Sequence, residues 1–217
     1  MKYEAVIFDL DGLMIDSEKM CLDLLIEEGN IANVLITEEF YLQLIGSDYD
    51  TAIKLTEKYP KEMEVTRLTE HKRDGYFKEY FKTPGSCNKP GLYELSAFLK
   101  DNNYKIAIAS SSNHKYINMV LGYLGFDFPV DVIVGKDDVT KVKPDPAIFN
   151  KAVEKLGVPK EKCIVLEDSK NGIIASSKAG ISSIFIQDLV PSDELMESLY
   201  LCKLDSLHEV IEFLNSN

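Results

Sequence analysis

Five short, mostly apolar runs limit what this chain can fold into: Ala5-Val6-Ile7-Phe8, Ile106-Ala107-Ile108-Ala109, residues 130–134, Cys163-Ile164-Val165-Leu166 and Ser183-Ile184-Phe185-Ile186. A strand with one wet face alternates apolar and polar residues. A run without that alternation is a strand covered on both faces. Between the runs, apolar residues recur at helical spacing: Leu92, Leu95, Phe98 and Leu99, then Ile117, Val120, Leu121 and Leu124, then residues 148–156 and 173–179. Strand alternating with helix implies parallel strands joined by crossovers. The fold class expected is α/β, a doubly wound, Rossmann-like parallel sheet. Residues 207–214 add a final amphipathic helix.

One stretch breaks the rhythm. From Ser17 to Phe81 no buried-strand run occurs, only helical patterns: Met20, Leu24 and Leu25; Phe40, Leu44 and Ile45; Ile53 and Leu55, ending near Pro60; and Tyr76, Phe77, Tyr80 and Phe81. Gly29, Gly46, Pro60 and Pro84 punctuate them. This predicts a small all-helical second domain, residues 16–84, inserted after the first strand of a core made of residues 1–15 plus 85–217. A length of 217 residues accommodates that, at about 150 residues per domain. The connections near Ile15 and Pro84 are expected to act as hinges.

Charge narrows the partners. The chain carries 24 Lys plus Arg against 36 Asp plus Glu, a net −12, which argues against nucleic acid, since backbone phosphates need a basic face. A small phosphorylated substrate needs only two or three local cations and a metal. The four cysteines, Cys21, Cys87, Cys163 and Cys202, have no metal-ligand spacing, and no apolar stretch approaches the length of a membrane span. A cytoplasmic protein with free thiols, no membrane partner and a monomeric state is expected.

Four stations carry chemistry. Asp9-Leu10-Asp11-Gly12 follows the first apolar run. Ligands of doubly wound sheets bind at the carboxyl ends of strands, so both carboxylates are expected to point into one cleft, with Gly12 permitting the turn. Ser110-Ser111-Ser112-Asn113 follows another run, and small hydroxyls with backbone N–H groups at a helix start make an anion cradle, or an ordinary helix cap. Lys143-Pro144-Asp145-Pro146 places an ammonium in a stiffened loop before a helix. Glu167-Asp168-Ser169 follows a further run. Acids gathered from two adjacent strand ends cannot all stay ionised without a cation, and hard oxygen donors select Mg²⁺.

Together, Asp9-Leu10-Asp11-Gly12, Ser110, Lys143 and Glu167-Asp168 resemble the four motifs of the haloacid dehalogenase superfamily, and the flanks Lys143-Pro144-Asp145-Pro146-Ala147-Ile148-Phe149 and Asp168-Ser169-Lys170-Asn171-Gly172 extend the match. The subgroup it looks most like holds β-phosphoglucomutase and the small phosphosugar phosphatases. The resemblance implies a helical cap, Asp9 as a nucleophile forming an aspartyl-phosphate, and Asp11 as general acid and base. It also implies Ser110 and Lys143 on the phosphoryl oxygens, with Ser111 and Asn113 beside them. Mg²⁺ would be held by Asp9, the Asp11 carbonyl and Asp168, with Glu167 near or among the ligands. Two departures set the mutase reading below the phosphatase: the loop Ser47-Asp48-Tyr49-Asp50 lacks the mutase's phosphate-gripping arginine, and Lys19-Met20-Cys21 stands where it has a histidine. Lys72, next to Arg73, remains a candidate for a distal anion. A catalytically dead binding module is the reading from another class; retention of both Asp9 and Asp11 argues against it.

Overall fold

The computed structural model describes residues 2–45 and 49–217. The chain divides into two compact units, Met1–Ile15 with Pro84–Asn217, and Asp16–Thr83.

The larger unit is built on six parallel strands: β1 (Ala5–Phe8), β2 (Lys105–Ala109), β3 (Val132–Val134), β4 (Cys163–Glu167), β5 (Ser182–Ile186) and β6 (Cys202–Leu204). Their spatial order is β3-β2-β1-β4-β5-β6. The chain builds outward from β1 to β3, then returns to lay β4 on the other side of β1. The strand order therefore reverses between β1 and β4, the place at whose carboxyl ends doubly wound sheets bind their ligands. All residues of β1 and β4 are buried, which is why neither alternates. The sixth strand escapes the sequence reading because it is three residues long, includes Lys203 and lies at the sheet edge.

Side chains alternate between the two faces of a strand. Ala5 and Ile7 of β1, Ala107 and Ala109 of β2, and Cys163 and Val165 of β4 share one core with Ile148, Phe149 and Ala152 of the helix Ala147–Leu156 and with Ala175 and Ala179 of the helix Lys170–Ala179. Continuing that alternation sends Asp9 and Glu167 toward the same two helices. Since Phe8 pairs with Leu166, Asp9 and Glu167 come next as neighbours.

Among the described residues the smaller unit holds five helices, α1 (Ser17–Ile31), α2 (Glu38–Leu44), α3 (Tyr49–Lys58), α4 (Pro60–Thr69) and α5 (Arg73–Tyr80). Leu24, Leu25, Phe40, Met63 and Phe77 are buried in it. Four helical stretches were expected; Pro60, taken as a stop, instead opens α4 as its first residue. A proline costs nothing there because the missing N–H has no partner within the helix. Tyr80, expected among the core aromatics, is exposed and donates to Asp23 at 2.5 Å. The remaining helices of the larger unit are α6 (Leu92–Asp101), α7 (His114–Leu121), α8 (Ala147–Leu156), α9 (Lys170–Ala179), α10 (Glu194–Glu197) and α11 (Leu207–Asn215). None of the described helices is long and apolar enough to cross a membrane. All four cysteines are free thiols.

Candidate active site

The ends of β1, β2 and β4 and the loop before α8 supply the site. Asp9 follows β1 directly and its N–H donates to Leu166 O at 3.1 Å, so the sheet still fixes its backbone. Its side chain receives a hydrogen bond from Lys143 Nζ, which also donates to Glu167 Oε1 at 2.6 Å. All three groups are buried. Lys143 reaches them because its loop leads into α8, the helix packed on that face, and its ammonium lies 4.9 Å from the Phe149 ring centroid.

Glu167 is held on both oxygens. Oε2 accepts from Asp168 N at 3.1 Å, from Ser169 N at 2.9 Å and from Ser169 Oγ at 2.9 Å. With Oε1 on Lys143, the carboxylate is fully engaged and acts as a rigid counter-charge. Gly172 makes room for it, since a Cβ there would stand 1.7 Å from Oε1.

Burial raises the Asp9 carboxyl to about 7; Lys143 opposes the rise, while Glu167 and Asp11 add to it. Burial alone would lower the Lys143 ammonium, but the charges of Asp9 and Glu167 raise it overall. One ammonium thus faces more negative charge than it can neutralise. Asp9, Glu167 and Asp168 each offer an oxygen within 4.8 Å of the others, a set of hard donors that fits a small divalent cation. Gly12, at φ +82°, passes close to that set: a Cβ would lie 2.2 Å from Asp168 Oδ2.

Asp11 behaves differently from its neighbour. Its Oδ2 accepts from Ser112 Oγ and its Oδ1 from Tyr116 OH, both at 3.0 Å, so its carboxylate does not join the three-acid group. The two aspartates, both expected to point into one cleft, have different hydrogen-bond partners. The anion-cradle loop also resolves. Ser110 is buried and its Oγ accepts from Ser112 N at 3.0 Å, while Ser111 is exposed. Asn113 caps α7, its Oδ1 accepting from Tyr116 N at 2.8 Å. Neither Ser112 nor Tyr116 was singled out as a site residue; the structure brings both to Asp11. Nearby, the His114 ring pairs with Asp138 Oδ2 at 2.6 Å.

In the helical unit, Lys72 Nζ is paired with Glu28 Oε2 at 2.6 Å, so the candidate for a distal anion already has a partner. Ser47 and Asp48 and the side chains of Tyr49 and Asp50, where the mutase arginine was sought, lie outside the described residues.

Comparison with known proteins adds an independent line. A sequence model of haloacid dehalogenase-like hydrolases matches residues 6–186. The phosphorylated carbohydrates phosphatase of Thermotoga maritima is 32% identical over 187 residues, 84% of each chain. Among solved structures, β-phosphoglucomutase from Clostridium difficile aligns with a TM-score of 0.75 at 23% identity, covering 99% of this chain and 96% of that one. A haloacid dehalogenase family hydrolase from Deinococcus radiodurans, crystallised with phosphate and sodium, aligns with a TM-score of 0.80 at 21% identity and the same coverages. These two likenesses show a shared fold.

Proposed function

The chain belongs to the haloacid dehalogenase-like hydrolase family, and on that footing we propose that it is a Mg²⁺-dependent phosphatase hydrolysing a small phosphorylated metabolite, a sugar phosphate first, through an aspartyl-phosphate. The observation that carries this reading is the contrast between Asp9 and Asp11. One carboxylate sits buried among an ammonium and two further acids; the other, two residues on, is held by two hydroxyls. Titratable groups pushed into unlike environments mark a division of labour.

In the proposed reaction, Asp9 attacks phosphorus in line and the bond to the leaving oxygen breaks, with Asp11 delivering a proton to that oxygen. Water then attacks the aspartyl-phosphate. Asp11 takes its proton, and inorganic phosphate leaves with Asp9 regenerated. Ser112 and Tyr116 keep Asp11 in one orientation through both steps. Lys143 and Ser110, with Ser111 and Asn113 beside them, are assigned to the phosphoryl oxygens. Asp9, Asp168 and the Asp11 carbonyl are assigned as the ion's ligands, with Glu167 holding Lys143 beside them. Bound there, Mg²⁺ supplies the positive charge that lets an anionic nucleophile approach an anionic phosphate. The raised Asp9 carboxyl supports this need, because a protonated acid is no nucleophile. We assign the helical unit, residues 16–84, the role of the cap that selects the leaving group.

A β-phosphoglucomutase-type mutase shares the first half-reaction. Incubation with Mg²⁺ and a panel of sugar phosphates separates the two. Free phosphate is the expected product; isomerised sugar phosphate without phosphate release would replace the hydrolase by the mutase. No product from any compound, or wild-type turnover in Asp9→Asn, would refute the reading.

A further inference from the structure

Beside the group of Asp9, Glu167 and Asp168, a fourth acid approaches from outside every motif of the sequence. Asp188 lies two residues past the end of β5, the strand beside β4, and so leaves the sheet at the same carboxyl edge as Asp9 and Asp168. Its side chain is only 8% exposed, and Lys89 Nζ donates to Oδ1 at 2.5 Å. The ammonium comes from an anchored backbone, because Lys89 N–H donates to Met14 O at 2.9 Å.

The other oxygen of Asp188 faces Gly12. A Cβ on Gly12 would stand 3.2 Å from Asp188 Oδ2 and 2.2 Å from Asp168 Oδ2. Carboxylates from two adjacent strands therefore converge on one side of a single glycine, and only the missing side chain lets them do so. Like charges brought together away from water repel strongly unless a cation intervenes. Lys89 offsets one of them from behind. Groups standing behind a metal's direct ligands orient those ligands and tune the affinity of the site.

We infer that Asp188 is a positioning residue for the divalent ion: it backs Asp168 and strengthens the negative field at the ion site, while Lys89 is the counter-charge that limits that field. This rests on the ion site assigned under the proposed function, and the two can fail separately. Mn²⁺ alone is titrated into the full-length protein, with no phosphate compound present, and free Mn²⁺ is followed by electron paramagnetic resonance. Wild type, Asp188→Asn, Lys89→Met and Asp168→Ala are compared. Asp188→Asn is expected to bind about tenfold or more weakly. Lys89→Met, which removes positive charge, is expected to bind at least as tightly as wild type. A pair that served only to hold the fold would weaken binding in both variants alike.

Unchanged affinity in Asp188→Asn, or equal weakening in both variants, overturns the inference. If Asp188→Asn does not fold, Lys89→Met decides, and binding weaker than wild type overturns it. Wild-type binding absent, or indifferent to Asp168→Ala, overturns the ion site and the proposed function with it. Binding lost in Asp168→Ala and retained in full by Asp188→Asn overturns this inference alone.

Discussion

Replacing Gly172 by alanine tests whether Glu167 is the rigid counter-charge described above. Gly172 lies in the first turn of α9 with its N–H donating to Ser169 Oγ at 3.1 Å. Helix propensity alone makes Gly→Ala there stabilising by about 0.5–1 kcal/mol. The new methyl, however, would lie 1.7 Å from Glu167 Oε1 and 1.8 Å from Cδ, where ordinary contact begins at 3.4 Å. The carboxylate must move by more than an ångström, and it is fully buried with donors on both oxygens at 2.6 to 3.1 Å. Hydrogen bonds to a charged group contribute about 1.5–3 kcal/mol each, and disrupting a buried ion pair costs about 3–5 kcal/mol. The net expectation is a loss of about 2–4 kcal/mol, a large share of the stability of an ordinary domain.

Urea unfolding of Gly172→Ala, Glu167→Ala and the double variant measures it as a cycle. With Glu167 truncated, the methyl has space, and Gly172→Ala should become neutral or stabilising. An equal cost in both backgrounds would refute the reasoning, because it would place the penalty in the helix backbone and not in the carboxylate.

Tyr116→Phe removes one donor from Asp11 and leaves the ring; kcat is expected to fall on the order of tenfold with KM little changed, as steady-state phosphate release would report. Burial would raise the Asp138 carboxyl, but hydrogen bonds from Gly135 N–H, Lys155 and His114 outweigh it and hold the group at about 2. Its stabilisation is therefore complete above the ordinary carboxyl value of 3.8 and lost as pH falls toward 2. Asp138→Asn should cost about 1–2 kcal/mol at pH 7 after allowance for partial exposure, and the gap should shrink when denaturation is repeated near pH 3. Chelation with EDTA should abolish phosphate release and Mg²⁺ should restore it; turnover indifferent to the chelator would count against the ion's role.

Much of this architecture was written locally along the chain. Residues such as Val6, Ile7, Ile164 and Val165 announce covered strands by lacking alternation, and the acids after Phe8 and Leu166 announce themselves by ending such strands. Lys143 was legible because Pro144 and Pro146 frame it before a helix. Periodicity and punctuation act over a few residues, so a single sequence exposes them. Strand neighbourhood does not work that way: β4 lies beside β1 because helices crossing the sheet bury their apolar faces there, and that arrangement is settled by packing across the whole unit. Only it could bring Ser112 and Tyr116 to Asp11, Lys89 to Asp188, or Asp188 to Gly12, across roughly a hundred residues of chain or more. The sequence by itself determined five of the strands, most of the helices and the acids that follow β1 and β4; it left β6, the separate helix α4 and Asp188 unread. The tertiary structure decided which charges meet, because an electrostatic partner is chosen by distance in space and by the exclusion of water.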